Sequence, residues 1–239
     1  MFDGVLVTVL ALGFVLGLKH ALDPDHVVAV STIVGESNSV KRSSLVGTFW
    51  GLGHTMSLLL VGIVVIALKV QISDRAALWM EFAVALMLIL LGLKAMIKPL
   101  RGWKVHIHRH SHDGSSHIHL HLHRPGEEHA HRHRHVIGFG ARPFFVGMVH
   151  GMAGSAALMI LVLATIPSAL AGLLYIAVFG LGSVGGMLIM SSLISLPFVL
   201  TRKRFRLLSE GLQVAVGLFS LSFGLFLAWQ YGFREHLIL

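Results

Sequence analysis

Six long apolar runs govern what this chain can fold into: residues 4–18, 44–68, 76–97, 144–166, 169–200 and 207–229. A helix needs about 20 residues to cross roughly 30 Å of hydrocarbon, and most of these runs reach that length. Only 13% of the 239 residues are charged and 55% are hydrophobic, which excludes an ordinary soluble domain or a disordered chain. The expected architecture is all-α, a polytopic membrane protein of six transmembrane helices. The acidic start Met1-Phe2-Asp3 predicts no cleaved signal peptide, because it lacks a basic n-region. With no cysteine, disulfides, thiolate metal sites and cysteine nucleophiles are excluded.

The formal charge of +8 is explained by its placement along the chain. The connections after runs 1, 3 and 5 hold fifteen of the Lys and Arg residues. The opposite connections hold three: Lys69, Arg75 and Arg234. So strong a bias orients a membrane protein. It predicts both termini outside and the long middle segment in the cytoplasm, and it leaves nucleic acid without support as a partner.

The sequence also repeats. Gly17-Leu18-Lys19-His20 matches Gly147-Met148-Val149-His150 at an offset of 130, and Gly51-Leu52-Gly53 matches Gly180-Leu181-Gly182 at 129, as Glu81 does Glu210. An odd number of spans per copy inserts the second copy upside down, which predicts two inverted three-helix repeats, 1–100 and 143–239. Between them lies 101–142, which carries twelve of the 17 histidines: His106, His108, His110, His112, His117, His119, His121, His123, His129, His131, His133 and His135. Its H-x-H alternation gives no amphipathic helix, so a flexible cytoplasmic loop is expected, ordered locally by auxiliary metal.

Most of the remaining polar chemistry sits in or beside the apolar runs. His20-Ala21-Leu22-Asp23-Pro24-Asp25-His26 places two imidazoles and two carboxylates there. Each ionisable group costs about 2.5–3.5 kcal/mol at a bilayer centre even on insertion scales. A divalent cation offsets the carboxylate charge and takes imidazole nitrogen and carboxylate oxygen alike. In an unbroken helix His20, Asp23 and His26 share one side and Asp25 points elsewhere. Pro24 removes a backbone donor and disfavours helical geometry at Asp23, so the first helix is expected to break here and to turn Asp25 inward. The competing reading is a solvated turn that merely ends the first span.

His54, early in the second run, and His150, early in the fourth, are each explicable as structural histidines. The repeat makes His150 the counterpart of His20, facing it across a pseudo-twofold axis. Glu81 and Glu210 open runs 3 and 6, where a helix N-terminus favours an acid on dipole grounds alone. The ten methionines are scattered and read as packing.

The stretch Gly17-Leu18-Lys19-His20-Ala21-Leu22-Asp23-Pro24-Asp25-His26 resembles the H-A-x-D-A-D-H signature of the nickel/cobalt transporter (NiCoT) family. Leu52-Gly53-His54-Thr55 is similar to that family's L-G-H-S motif. The short chain and the His150-Gly151-Met152-Ala153-Gly154-Ser155-Ala156-Ala157-Leu158 run look like its urease-accessory, UreH-like branch. Pro24 stands where the signature has Ala, and His150 where larger members carry Phe-Asp. The resemblance implies that His20, Asp23, Asp25 and His26 recognise metal, with His54 assisting. It also implies that Ni(II) or Co(II) is transported substrate and not a cofactor.

The leading function is therefore secondary transport of Ni(II) or Co(II) across the cytoplasmic membrane, with uptake favoured because paired carboxylates and imidazoles suit capture of a trace metal. The alternatives are efflux through the same site, or a membrane-anchored metal store or chaperone acting through the histidine-rich loop. No P-loop supplies nucleotide energy, and neither an H-E-x-x-H motif nor paired histidine boxes indicate an enzyme. Expected partners are the metal ion, the bilayer and cytoplasmic nickel chaperones or urease maturation proteins.

Overall fold

The computed structural model describes residues 2–37, 39–101, 104–112, 115–123, 136–154, 162, 166 and 168–238. Its body is helical: α1 (Phe2–His20), α2 (Pro24–Val34), α3 (Val40–Leu68), α4 (Asp74–Arg101), α5 (Val136–Ala153), α6 (Ala169–Arg204) and α7 (Arg206–Trp229). A π-helical turn, Gln230–Arg234, follows α7. Among the described residues α3, α4, α6 and α7 are each long and apolar enough to cross a membrane, and α1 with α2, bent by 55° at their break, passes the same test as a pair. The chain is thus a multi-pass membrane protein. The expected fourth span, 144–166, begins within α5, and most of its second half lies outside the described residues.

The bend between α1 and α2 has a local cause. Pro24 occupies the first turn of α2, where its missing N–H is least costly, and Asp23 takes the extended N-cap conformation (φ −60°, ψ 143°). The Asp23 N–H bonds the His20 carbonyl at 3.1 Å, which closes the turn. At its other end α2 stops at Gly35. There the Arg202 guanidinium donates to the carbonyls of Gly35 (3.0 Å), Glu36 (3.1 Å) and Ser37 (3.3 Å). A cation suits the negative end of a helix, whose last carbonyls have no partner within the helix itself.

Packing brings α1 against α6, α3 against both α5 and α6, and α4 against α7. These contacts bring backbone against backbone. A Cβ at Gly17 would strike the Phe179 carbonyl, and one at Gly182 the Phe14 carbonyl, so α1 and α6 meet without side chains between them. In the same way Gly53 lies on the Phe144 carbonyl and Gly147 on that of Trp50, which joins α3 to α5. Small residues allow this approach in a bilayer, where helix association rests on packing. Val28, Val30, Val34, Trp50, Val84 and Leu88 bury one core around α2. Large apolar residues such as Leu60, Ile63, Leu90, Leu193, Phe219 and Phe226 face outward, as lipid contact requires.

The histidine-rich segment departs from the expectation of an unordered loop. Lys104–His112 (β1) pairs antiparallel with Ser115–His123 (β2). The H-x-H spacing carries Val105, Ile107, Leu120 and Leu122 at the alternate positions, and that period of two is a strand's. The register sets His106 opposite His121, His108 opposite His119 and His110 opposite His117. His129, His131, His133 and His135 lie outside the described residues.

The glycine contacts predict a sharp contrast between sites. Gly53→Val forces a side chain into the Phe144 backbone; overpacking of about 3 kcal/mol corresponds to a melting temperature lower by roughly 10 °C. Gly211→Ala, with nothing within 4 Å of the new methyl, should hold or raise it, since Ala exceeds Gly in a helix interior by about 1 kcal/mol. Thermal unfolding in detergent measures both.

Candidate metal centre

The break after His20 decides what the first span can present. His20 ends α1, Asp25 and His26 lie in the first turn of α2, His54 comes from α3, and His150 comes from α5. These five converge. The rings of His26 and His150 are 4.0 Å apart between centroids, His20 and His26 4.6 Å, His20 and His54 5.1 Å, and His26 and His54 5.2 Å. His26, His54 and His150 are almost wholly buried, at 1%, 0% and 2% exposure.

Carboxylates hold the outer nitrogens of this group. His20 Nδ1–H donates to Asp23 Oδ2 at 2.7 Å, and His26 Nδ1–H donates to Asp25 Oδ1 at 3.2 Å. His150 Nε2–H donates to the other Asp25 oxygen at 2.9 Å. Among the described residues several buried ring nitrogens have no hydrogen-bond partner: His26 Nε2, both nitrogens of His54, and His150 Nδ1. An orphaned buried polar atom costs roughly 1–3 kcal/mol, so their accumulation in one place calls for a bound group. A carboxylate behind a ligating imidazole fixes its orientation and raises its basicity. Nitrogen-rich donors with one carboxylate suit a divalent first-row metal such as Ni(II), Co(II), Cu(II) or Zn(II).

Within the described residues the donors form two groups, His20–His26–His54 and Asp25–His26–His150, with the ligand atoms of each within 4.8 Å of one another. Of the six residues expected from the sequence, the structure gathers five into these groups. Asp23 stands at their edge, 46% exposed at its side chain, and backs His20. The loop histidines His106–His123 lie on the hairpin strands.

Two aromatic residues complete the enclosure, and the motif reading passed over both. Phe179 from α6 packs on His20 at 5.4 Å, and Trp50 from α3 packs on His150 at 5.7 Å. They are separated by 129 residues, the offset that relates the glycine motifs, and this spacing was the available signal. The Thr55 hydroxyl, next to His54, donates to the Gly180 carbonyl at 3.1 Å and ties α3 to α6 beside the site.

The chain matches the family described as high-affinity nickel-transport protein (NicO) over residues 6–222. It is similar to the urease accessory protein UreH of Bacillus sp. (strain TB-90), 40% identical over 232 residues, which cover 97% of this chain and 95% of that protein. No solved structure matches it.

Because His54 is fully buried with two unpartnered nitrogens, an apolar replacement removes an orphan that costs about 1–3 kcal/mol. His54→Leu should therefore melt at a higher temperature than the wild type when both are metal-free. It should also show a smaller rise in melting temperature when Ni(II) is added, since ligand binding stabilises only the state that binds it. Differential scanning fluorimetry with and without Ni(II) checks both halves.

Proposed function

The chain belongs to the family of high-affinity nickel-transport proteins, and from that membership we propose a secondary transporter that takes up Ni(II), with Co(II) as a second cargo, across the cytoplasmic membrane. The observation that carries this reading is the meeting of four imidazoles and Asp25, from four different helices, inside an apolar body. His20, Asp25, His26, His54 and His150 receive the ion, and Asp23 orients His20. The metal is cargo. Sequestration among α1, α2, α3 and α5 explains why the donors need burial and why the ion must pass through them to cross.

The two halves, 1–100 and 143–239, act as inverted repeats joined by the segment 101–142. Contacts that recur under the sequence offset support this. Gly17 against Phe179 has its counterpart in Gly147 against Trp50, and Gly182 against Phe14 in Gly53 against Phe144. The His20–Phe179 pair at 5.4 Å likewise answers the His150–Trp50 pair at 5.7 Å. Repeats of this kind place substrate where the halves meet. The basic bias sets the histidine hairpin in the cytoplasm and both termini outside. There the hairpin receives and buffers incoming metal as an auxiliary site, and hands it to nickel chaperones or urease maturation proteins. The relative's name, urease accessory protein, supports that destination.

One observation favours the opposite direction. A cytoplasmic face with His106, His108 and His110 opposite His121, His119 and His117 suits a collector for efflux through the same site.

Proteoliposomes holding a metal-sensing dye test transport directly. Wild-type protein should admit external Ni(II), and His20→Ala, Asp25→Ala and His26→Ala should each slow entry by about tenfold or more, the scale of losing a metal-site residue. Deleting 106–135 should leave transport in place with a changed apparent affinity on the cytoplasmic side; complete loss in a folded deletion variant makes the loop the functional part. In nickel-starved cells, expression should raise cell-associated nickel. Lowered cell nickel together with resistance to toxic Ni(II) identifies efflux.

A further inference from the structure

Among the described residues, no close grouping takes in all five core donors at once. They form two triads with a single member in common, His26. The first, His20–His26–His54, is three imidazoles, two of them hydrogen-bonded to a carboxylate through Nδ1. The second, Asp25–His26–His150, substitutes a carboxylate oxygen for one imidazole. Each triad also has its own partly exposed member. In the first it is His20, with 21% of its side chain exposed, and in the second it is Asp25, with 30%. The shared His26 is sealed.

The supports of the two triads differ as well. His54 and His150 sit on helices locked together by backbone contact, since a Cβ at Gly151 would strike the His54 carbonyl and one at Gly147 that of Trp50. On these locked helices the two imidazoles lie 6.1 Å apart between ring centroids. His26 and Asp25 ride on α2, a separate helix of 11 residues bounded by a turn at each end. A small displacement of α2 moves His26 and Asp25 relative to both rings, without breaking the α3–α5 contact.

Resting on the transport reading above, we propose that this chain has two successive metal subsites, and that His26 carries the ion from one to the other. Ni(II) is captured by His20, His26 and His54. It is then passed to Asp25, His26 and His150 as α2 shifts, so the ion exchanges two donors while keeping the third. Two overlapping subsites meet the requirement that a buried ion be held firmly and yet released. No step needs all ligands to let go together, and each subsite opens through a different partly exposed residue.

The test uses the full-length chain with the twelve loop histidines changed to Asn, so that only core binding is read. Ni(II) affinity is measured by calorimetry, transport in proteoliposomes, and the donor set by X-ray absorption. The wild-type core should show three imidazole donors. His150→Gln should keep the three-imidazole absorption signature of the bound ion, yet fall about tenfold or more in maximal transport rate. His54→Gln should bind at least about tenfold more weakly, with an X-ray absorption signature of fewer imidazoles and a carboxylate oxygen. His26→Gln should lose both binding and transport. Asn replacements at the same positions serve where a Gln variant is not monodisperse in detergent. If His54→Gln and His150→Gln weaken binding equally and leave the same residual donor set, the site is one cage and the two-subsite proposal is overturned. Wild-type protein that neither binds nor moves Ni(II) overturns the transport reading itself, a separate result.

Discussion

Pro24 brings no N–H to the helix, and its ring disfavours helical geometry at Asp23. α1 therefore stops at His20, the chain turns through three residues, and α2 sets out at 55° to the first direction. The rest of the centre follows from this interruption. In an unbroken helix Asp25 would face away from His20 and His26. With the break, its two oxygens reach His26 and His150 at once, and His26 is turned among the rings of His20, His54 and His150.

Such a group is hard to keep in an apolar body, and the surrounding structure is arranged to hold it. The helices behind the imidazoles meet backbone to backbone through Gly17, Gly53, Gly147 and Gly182. Phe179 and Trp50 cover His20 and His150. His54 is wholly buried among these close helix contacts, and among the described residues neither of its ring nitrogens has a hydrogen-bond partner. Rigid walls and unsatisfied donors are thus two results of the same packing.

Much of this was legible in the sequence, because the expense of a charge in hydrocarbon makes each one conspicuous. The break at Pro24 and the inward turn of Asp25 could be argued from residue type and position, and the repeat pointed to His150 as the counterpart of His20. Runs such as 44–68 gave helix extents to within a few residues, as against Val40–Leu68, whereas α5 begins at Val136, well before the run 144–166. Three things were hidden. The division of donors into two triads depends on ring rotations and helix crossings, which no spacing encodes. Arg202 closing the end of α2 is a contact across about 165 residues with no local mark, since an arginine in a basic segment reads as an orientation signal. The hairpin was visible as alternation, but the histidines drew attention from the Val, Ile and Leu between them.

The Arg202 contact has a mechanical meaning. It grips the carbonyl end of α2, while His26 stands at the opposite end, about 14 Å away at ~1.5 Å per residue. Gripped at one end, the helix is a lever, and each degree of tilt sweeps the imidazole through about 0.25 Å. Metal–ligand distances tolerate departures of only about 0.2 Å. An angular change of a single degree, far below what a helix rearrangement involves, is therefore already comparable to the tolerance of a coordination bond.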